Sequence, residues 1–290
     1  MAHTLKRPDA LESVRMSERF KLRGVSPRDG EIVYGPVLSR RLGYSLGVNL
    51  NLRRGKTCTF DCVYCQYGRT INLVSSSEEL ADWLDEETIL EEVRLWLRRL
   101  IGESQKLNSI TFSGYGEPTL HPGFGEIARG VRGLRDELYP GVRVDILTNA
   151  STVTDRRVRD ALREMDAVVA KLDAGTQEIF EAVNRPAEGV ETLEDIVRSL
   201  AELHDETGRV TLQTLIFRSA SPSQGDNASA DELESIAEAA RSIDPVEVQV
   251  YTVSRHPLEP FVGPAEEDTL KEAARRINSV IGRKCAKIYI

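Results

Sequence analysis

Three cysteines lie within eight residues of this chain, in the run CTFDCVYC formed by Cys58, Cys62, Cys65 and the residues between them. Thiolates on a short loop select soft metals: zinc, copper(I) or an iron–sulfur centre. A structural zinc site needs a fourth ligand nearby, and the loop contains no histidine. A disulfide would leave one sulfur over and would be strained across so short a loop. A 4Fe–4S cubane held by these three cysteines leaves one iron open to a further ligand, and the spacing favours this cluster.

A glycine-rich loop follows the apolar run SITF, with Gly114, Tyr115, Gly116 and Glu117 placed just before a proline. Taken alone, this pattern describes a tight turn between a strand and a helix, with a solvated carboxylate. Beside a cysteine loop the same residues become candidates for binding a cofactor, because glycine lets another group approach the backbone closely.

The bulk properties exclude several classes of protein. The chain has 290 residues and a net charge of −8, which disfavours diffuse binding to nucleic acid. The charged segment Met1–Lys21 contains no signal-peptide core, and no apolar run approaches the ~18 residues that a membrane helix needs. Few cysteines and a candidate cluster favour a reducing compartment. We therefore expect a cytoplasmic protein.

The chain begins with residues 1–30, which are predicted to be a charged leader containing a short helix over Asp9–Phe20. Residues 31–290 are predicted to form a single domain, since no linker divides them. Strands are predicted over Tyr44–Leu52, Ser109–Phe112, Arg143–Leu147, Ala167–Leu172, Val210–Phe217 and Glu247–Val253, with a last short one over Cys285–Ile290. Helices are predicted over Glu87–Leu100, Phe124–Leu138, Asp155–Glu164, Gln177–Val183, Glu191–His204, Ala230–Ile243 and Glu266–Ile281.

This alternation predicts an α/β fold with a parallel sheet and helical crossovers. Periodicity does not distinguish an open doubly wound sheet from a barrel. The candidate functional residues stand at the ends of most strands, as on the carboxyl-terminal face of a TIM-type barrel, and this favours the barrel.

Polar residues end two of the central strands. Thr148 and Asn149 are either turn and cap residues or contacts to a ribose. Lys171 and Asp173 share a face by alternation, and such a pair inside a barrel is costly unless it is used or mutually neutralised. We interpret the pair as catalytic or as binding a carboxylate of a cofactor or substrate. A lysine in a low-dielectric site can also form a Schiff base with a carbonyl substrate.

The later strands carry a second polar set. Gln213, Gln249 and Tyr251 lie in strands, and Arg255 follows the last of them. These residues either line a substrate pocket or are satisfied polar groups of the core. His121 is interpreted as a loop histidine, and Cys285 as a small buried residue and not a fourth cluster ligand.

A basic group precedes the cysteine loop, despite the acidic average of the chain. It forms either a solvated face or a site for an anionic substrate, an RNA phosphate backbone or an acidic electron donor. Its members are Arg40, Arg41, Arg53, Arg54 and Lys56.

The cysteine spacing resembles the signature of the radical S-adenosylmethionine superfamily, in which the open iron chelates the amino and carboxylate groups of S-adenosylmethionine. The GYGEP run resembles the glycine–glycine–glutamate–proline motif of that superfamily, with Tyr115 in place of a glycine. The resemblance implies a partial six-unit (β/α) TIM-like barrel. It also implies that the backbone of this loop and Glu117 receive the cofactor's ammonium group, and that Tyr64 packs near the adenine.

Further runs, GPVLSRRLGYSLGVNL, SGYGEPTLH, LTNAS, KLDAGT, VNRP and QVYTVSR, look like the subgroup related to wyosine-base synthases of tRNA. Those synthases carry a second cluster on additional N-terminal cysteines, whereas this sequence has none before Cys58. The resemblance implies reductive cleavage of S-adenosylmethionine to a 5′-deoxyadenosyl radical that abstracts hydrogen from a substrate. It also implies an external one-electron donor such as flavodoxin or ferredoxin. The substrate is not identified, and RNA is one candidate. The alternatives are a non-enzymatic iron–sulfur electron carrier or redox sensor, and a zinc hydrolase.

Overall fold

The structure is a computed structural model that describes residues 31–51, 55–221 and 225–290. The predicted leader and its helix over Asp9–Phe20, together with Arg53 and Arg54, lie outside these residues.

Strands and helices alternate through the described part of the chain. The strands are β1 Val33–Ser39, β2 Gly43–Val48, β3 Thr57–Cys58, β4 Asn72–Leu73, β5 Ser109–Phe112, β6 Arg143–Thr148, β7 Ala167–Lys171, β8 Val210–Leu215, β9 Phe217–Ser219, β10 Val248–Tyr251, β11 Val262–Pro264 and β12 Ala286–Tyr289. The helices are α1 Glu86–Gly102, α2 Phe124–Leu138, α3 Arg156–Leu162, α4 Gln177–Asn184, α5 Leu193–Thr207, α6 Ala230–Ile243 and α7 Glu267–Ile281.

The main sheet contains eight strands in the order β1-β2-β5-β6-β7-β8-β10-β12. All neighbours from β2 to β12 are parallel, and β1 is antiparallel to β2. Sequential parallel strands connected by helices are the (β/α) arrangement that the alternation predicts. The pairs β3–β4 and β9–β11 form two small separate sheets.

The core lies between this sheet and the helices. All four residues of β5 are buried, as a strand covered on both faces requires. Helix α1 begins after Asp85, whose carboxylate accepts a hydrogen bond of 2.8 Å from the N–H of Thr88. The helix buries Ile89, Val93 and Leu97 along one face, and this spacing places an apolar stripe against its neighbours.

The sheet curls until its two edges approach each other. Arg41, in the turn between β1 and β2, has its guanidinium 4.5 Å from the ring centroid of Tyr251 on β10 and 5.9 Å from that of Tyr289 on β12. An open sheet curled in this way is a partial barrel, and the predicted fold class is confirmed. No helix in the described ranges has the length and apolar character needed to cross a bilayer.

All six predicted parallel strands and the short last one are present, with ends that differ by a few residues from the predictions. Strand β1 and the two small sheets were not predicted from the sequence. Gly35 and Pro36 interrupt β1, and its pairing with β2 shifts register between Tyr34 and Val37. Turn-forming residues of this kind conceal an edge strand from pattern analysis.

Candidate functional site

A cavity of about 450 Å³ opens inside the curled sheet, and Cys58, Cys62 and Cys65 all line it. Most of the residues singled out from the sequence line the same cavity. These are Tyr64, Gly114, Gly116, Glu117, Thr148, Asn149, Lys171, Gln213, Tyr251 and Arg255. Three predicted site residues stand outside its wall: Tyr115, Asp173 and Gln249. Side chains distant in sequence therefore meet at one place, as expected where parallel strands end together.

The cysteine loop is joined to the glycine-rich loop through its backbone. The N–H of Thr57 donates to the carbonyl of Tyr115 at 3.1 Å, and the N–H of Glu117 donates to the carbonyl of Thr57 at 3.1 Å. The ring of Tyr115 packs against Tyr67, with centroids 5.0 Å apart. The two predicted motifs are therefore one structural unit.

Two glycines are required by this junction. Gly116 has φ +130°, and a Cβ there would overlap the carbonyl oxygen of Thr57. Gly114 has φ +147°, and its Cβ would lie 2.6 Å from Oδ1 of Asn49. The sequence predicts that these glycines let a cofactor approach the backbone. The structure gives a nearer reason, because the protein's own chain occupies the space of the missing side chains.

Glu117 is 1% exposed and fastens neighbouring loops together. Its Oε1 accepts hydrogen bonds from the N–H and the hydroxyl of Thr119 and from the hydroxyl of Thr148 at 2.8 Å. Its Oε2 accepts one bond of 2.6 Å, from the N–H of Asn149. Burial raises the pKa of this carboxyl, although the four hydrogen bonds oppose that shift. Because a carboxylate oxygen has two lone pairs, Oε2 retains one acceptor site.

Two side-chain amides approach the cysteine sulfur atoms. Nδ2 of Asn149 lies 3.5 Å from Sγ of Cys58, and Nδ2 of Asn184 lies 3.5 Å from Sγ of Cys62. Asn149 also donates to Oγ1 of Thr59 at 2.7 Å. Asn149 thus acts as a loop residue that contacts a cysteine, while Asn184 is a residue that the sequence analysis noted only within the VNRP run.

Lys56 is 3% exposed and lies among the three cysteines. Its Nζ donates to the carbonyl of Gly68 at 3.1 Å. Burial disfavours the ammonium form, but the nearby sulfur atoms more than offset this effect, and the pKa of Lys56 lies above its ordinary value. Lys56 therefore belongs to the cysteine site and not to a solvated basic face.

The donor set fits a thiolate-ligated cluster. The three loop cysteines are free thiols. Burial raises the pKa of Cys58 to about 12 and that of Cys62 to about 11, so a metal must displace their protons. When a cluster is bound, Lys56 would place a positive charge beside its three thiolate ligands. No three His, Cys, Asp or Glu side chains in the described residues are grouped around a single-ion site. A cubane does not require ligands grouped around a single ion, because each cysteine binds a different iron.

Lys171 and Asp173 form the ion pair expected from their alternation, with Nζ and Oδ1 2.9 Å apart. Nζ also donates to the hydroxyl of Tyr251 at 2.7 Å. Asp173 accepts further bonds from the N–H of Leu215 at 2.7 Å and from the hydroxyl of Tyr64. Burial lowers the pKa of Lys171, but Asp173 and Tyr251 raise it by more, so the amine is held protonated. Asp173 therefore positions two side chains that face the cavity.

Of the remaining candidates, some line the cavity and others hold the lining residues in place. Gln213 faces the cavity and donates to Oε1 of Gln249 at 3.0 Å, and Gln249 donates to Glu247 at 3.0 Å. Cys285 is buried directly before β12, as expected. His121 is also buried: its Nε2 lies 2.8 Å from the carbonyl of Leu84, and its Nδ1 accepts a bond from Gly123. His121 thus has a structural role that the sequence analysis did not assign.

Comparisons with known proteins agree with this arrangement. A model of the Radical SAM superfamily matches residues 52–224, more than half of the chain. The UPF0026 protein of Methanocaldococcus jannaschii is 30% identical over 89% of this chain and 74% of its own length. A crystal structure of a radical SAM methyltransferase from Sphaerobacter thermophilus superposes with a TM-score of 0.60 at 17% identity, over 84% of this chain and 65% of that one. Streptococcus suis SuiB bound to S-adenosylmethionine superposes with a TM-score of 0.54 at 11% identity, over 81% of this chain and 48% of that one. These two structures support the fold alone.

Proposed function

The chain belongs to the radical S-adenosylmethionine superfamily, and we propose that it reductively cleaves S-adenosylmethionine to begin a radical reaction on a substrate bound in the cavity. The superfamily uses a 4Fe–4S cluster and S-adenosylmethionine, as predicted from the sequence. Cys58, Cys62 and Cys65 would hold the cluster, and its chemistry would be to supply the electron for cleavage of S-adenosylmethionine to methionine and a 5′-deoxyadenosyl radical able to abstract hydrogen. Every other task belongs to the side chains of this protein: holding the cluster, orienting the cofactor and excluding water.

One observation carries the proposal: the three cysteines, the glycine–glutamate loop and Lys171 line a single cavity. An electron carrier needs a cluster but has no need of a cofactor cavity beside it. Cys58, Cys62 and Cys65 would hold three irons and leave the fourth for the cofactor. This arrangement favours an enzyme over the electron carrier or redox sensor that we considered as the alternative.

The loop and Lys171 would hold opposite charges of the cofactor. The remaining acceptor sites on the backbone carbonyls of the glycine-rich loop and on Oε2 of Glu117 suit an ammonium group. Lys171, kept protonated by Asp173, suits a carboxylate. The same protonation disfavours the Schiff base considered for Lys171, because a nucleophilic amine must be neutral. Tyr64, whose hydroxyl bonds to Asp173, would pack against the adenine.

Thr148 and Asn149 were predicted to contact a ribose or to act as turn residues. Their side chains already bond to Glu117, Thr59 and neighbouring backbone groups. These bonds favour the turn-residue interpretation over the ribose contact for both residues. Gln213, Tyr251 and Arg255 remain candidates for substrate contact, with Gln249 supporting Gln213.

An external one-electron donor such as flavodoxin or ferredoxin would reduce the cluster. The substrate from which the radical abstracts hydrogen is not identified, and RNA is one candidate among several. The motifs shared with wyosine-base synthases make a nucleic-acid substrate a hypothesis, against which the net charge of −8 argues.

The test is anaerobic reconstitution with iron and sulfide, followed by dithionite and S-adenosylmethionine. We expect 5′-deoxyadenosine and methionine in equal amounts, measured by liquid chromatography with mass detection. A variant with Cys58, Cys62 and Cys65 all replaced by Ala should form neither, while Cys285→Ala is the matched control and should resemble the wild type. A cluster that is reduced by dithionite but yields no 5′-deoxyadenosine would favour the electron carrier.

A further inference from the structure

The charges that line the cavity are unbalanced. The cationic members of its described lining are Arg40, Arg41, Lys56, Lys171 and Arg255. Glu117 is the acidic side chain among the described lining residues, and its oxygens already accept four hydrogen bonds from neighbouring loops. This excess of positive charge occurs in a chain whose net charge is −8, so the cavity differs in sign from the protein as a whole.

The cluster and S-adenosylmethionine account for only part of this excess. Lys56 lies beside the cysteines, and Lys171 is paired with Asp173. S-adenosylmethionine carries one carboxylate together with an ammonium and a sulfonium, so its net charge is positive. Binding the cofactor therefore adds to the positive charge. The arginines are left without a partner of opposite charge among these groups.

Arg41 is the clearest of these arginines. Its Nη1 is buried and has no hydrogen-bond partner among the residues that the structure describes. A buried donor without a partner is unfavourable, and more so when it is charged. The guanidinium lies over the ring of Tyr251 at 4.5 Å, and the hydroxyl of Tyr251 accepts the bond from Lys171. Tyr251 thus contacts both Arg41 and Lys171, the residue proposed to bind the cofactor carboxylate.

The turn that carries Arg41 is fixed in place. Oγ of Ser39 accepts hydrogen bonds from the N–H of Arg41 at 3.2 Å and from the N–H of Leu42 at 3.1 Å. The second ring beside the guanidinium, that of Tyr289, lies 5.9 Å away. Arginine stacked on aromatic faces presents its N–H groups at the edge of the stack, in the geometry that binds carboxylate or phosphate.

We propose that Arg41 binds an oxyanion of the substrate, a phosphate or a carboxylate, within the cavity. Arg255, which also lines the cavity and bonds to Gln66 beside Cys65, adds positive charge to the same space. The inference rests on the proposed function, since it names the class of molecule that the radical meets. It requires a substrate that carries at least one negative charge.

The test measures anion binding directly, on cluster-loaded protein saturated with S-adenosylmethionine. Inorganic phosphate is titrated by ³¹P line width and acetate by ¹H line width, in chloride buffer of matched ionic strength. We expect saturable binding of at least one anion and at least a tenfold loss of affinity in Arg41→Gln. Arg41→Lys keeps the charge without the planar fork and should bind with intermediate affinity. Arg156→Gln, at a side chain 85% exposed, should bind as the wild type does.

The two anions separate the sources of the oxyanion, because tighter binding of phosphate indicates a phosphorylated substrate and tighter binding of acetate a carboxylic acid. No saturable binding of either anion to the wild type, or wild-type affinity in both Arg41 variants, would overturn the proposal. 5′-Deoxyadenosine formation by the wild type is measured in parallel. Its presence without anion binding removes only this inference, and anion binding without 5′-deoxyadenosine removes only the proposed function.

Discussion

The side-chain amide of Asn184 donates a hydrogen bond to Sγ of Cys62 over 3.5 Å, although 122 residues separate the two in the sequence. Helix α4 ends at Asn184, and its last turn is paired with the cysteine loop: the N–H of Asp61 donates to the carbonyl of Asn184, and that of Val63 to the carbonyl of Val183, at 3.1 and 3.0 Å. The end of a helix therefore fixes the position of a cysteine sulfur.

Replacing Asn184 with Leu should lower the reduction potential of the reconstituted cluster. Hydrogen bonds to cluster sulfur stabilise the reduced, more negative state, and one bond of ordinary net strength corresponds to a shift on the order of tens of millivolts. The measurement is a redox titration followed by electron paramagnetic resonance. Asn278→Leu, an amide that contacts the backbone at Cys285, should leave the potential unchanged. Equal potentials in the wild type and Asn184→Leu would contradict the assigned bond.

Gly116→Ala should destabilise the protein and disturb the cysteine loop. The added Cβ would overlap the carbonyl oxygen of Thr57 at a φ of +130°, and backbone strain of this kind costs about 1–3 kcal/mol before the overlap is counted. Urea unfolding of the cluster-free protein measures the effect. Gly133→Ala in helix α2, where a Cβ meets nothing within 4 Å, should instead stabilise the protein by about 0.5–1 kcal/mol. Similar midpoints for the two variants would be inconsistent with the junction described above.

Removing the Lys171–Asp173 pair should weaken binding of S-adenosylmethionine. The double change Lys171→Met with Asp173→Asn avoids leaving a buried carboxylate unpaired. Loss of a charged hydrogen bond predicts a roughly 10- to 100-fold rise in Kd, measured by equilibrium dialysis on cluster-loaded protein, together with loss of 5′-deoxyadenosine. Lys271→Met, at an exposed side chain, is the control. Unchanged affinity and product yield in the double variant would exclude Lys171 from the cofactor site.

His121 should make stability fall in mild acid. Burial lowers its pKa below the ordinary value of 6.5, so the unfolded chain binds a proton that the folded chain resists. Its contribution to stability is complete above about pH 6.5 and is lost as the pH falls toward the lowered pKa. Urea midpoints of the cluster-free protein at about pH 7.5 and 5.5 should differ less in His121→Gln than in the wild type. His256→Gln, at an exposed side chain, is the control. A pH dependence in His121→Gln identical to that of the wild type would refute the assignment.

The sequence predicts the fold and the main motifs because both rest on local spacing. The cysteine loop and the glycine-rich loop are short runs, and the polar residues Thr148 and Lys171 stand at strand ends that a parallel sheet brings together. What the sequence analysis missed depends on contacts between distant segments. Asn184 reaches Cys62 only because helix α4 ends against the cysteine loop.

Lys56 and His121 illustrate a second limit. A lysine among arginines suggests a solvated face, and a histidine after a proline turn suggests a loop residue. In the structure Lys56 is 3% and His121 2% exposed, because neighbouring loops cover them. Burial of a single polar side chain depends on which segments pack over it, and the composition of the chain does not reveal that packing.

The most direct test of the central claim is the iron and sulfide content of anaerobically reconstituted protein, with electron paramagnetic resonance of the reduced form before and after S-adenosylmethionine. We predict about four irons and four sulfides per chain, and a spectrum that changes when the cofactor binds. A protein that remains free of iron and colourless after reconstitution, or a cluster whose spectrum S-adenosylmethionine does not alter, would contradict the claim.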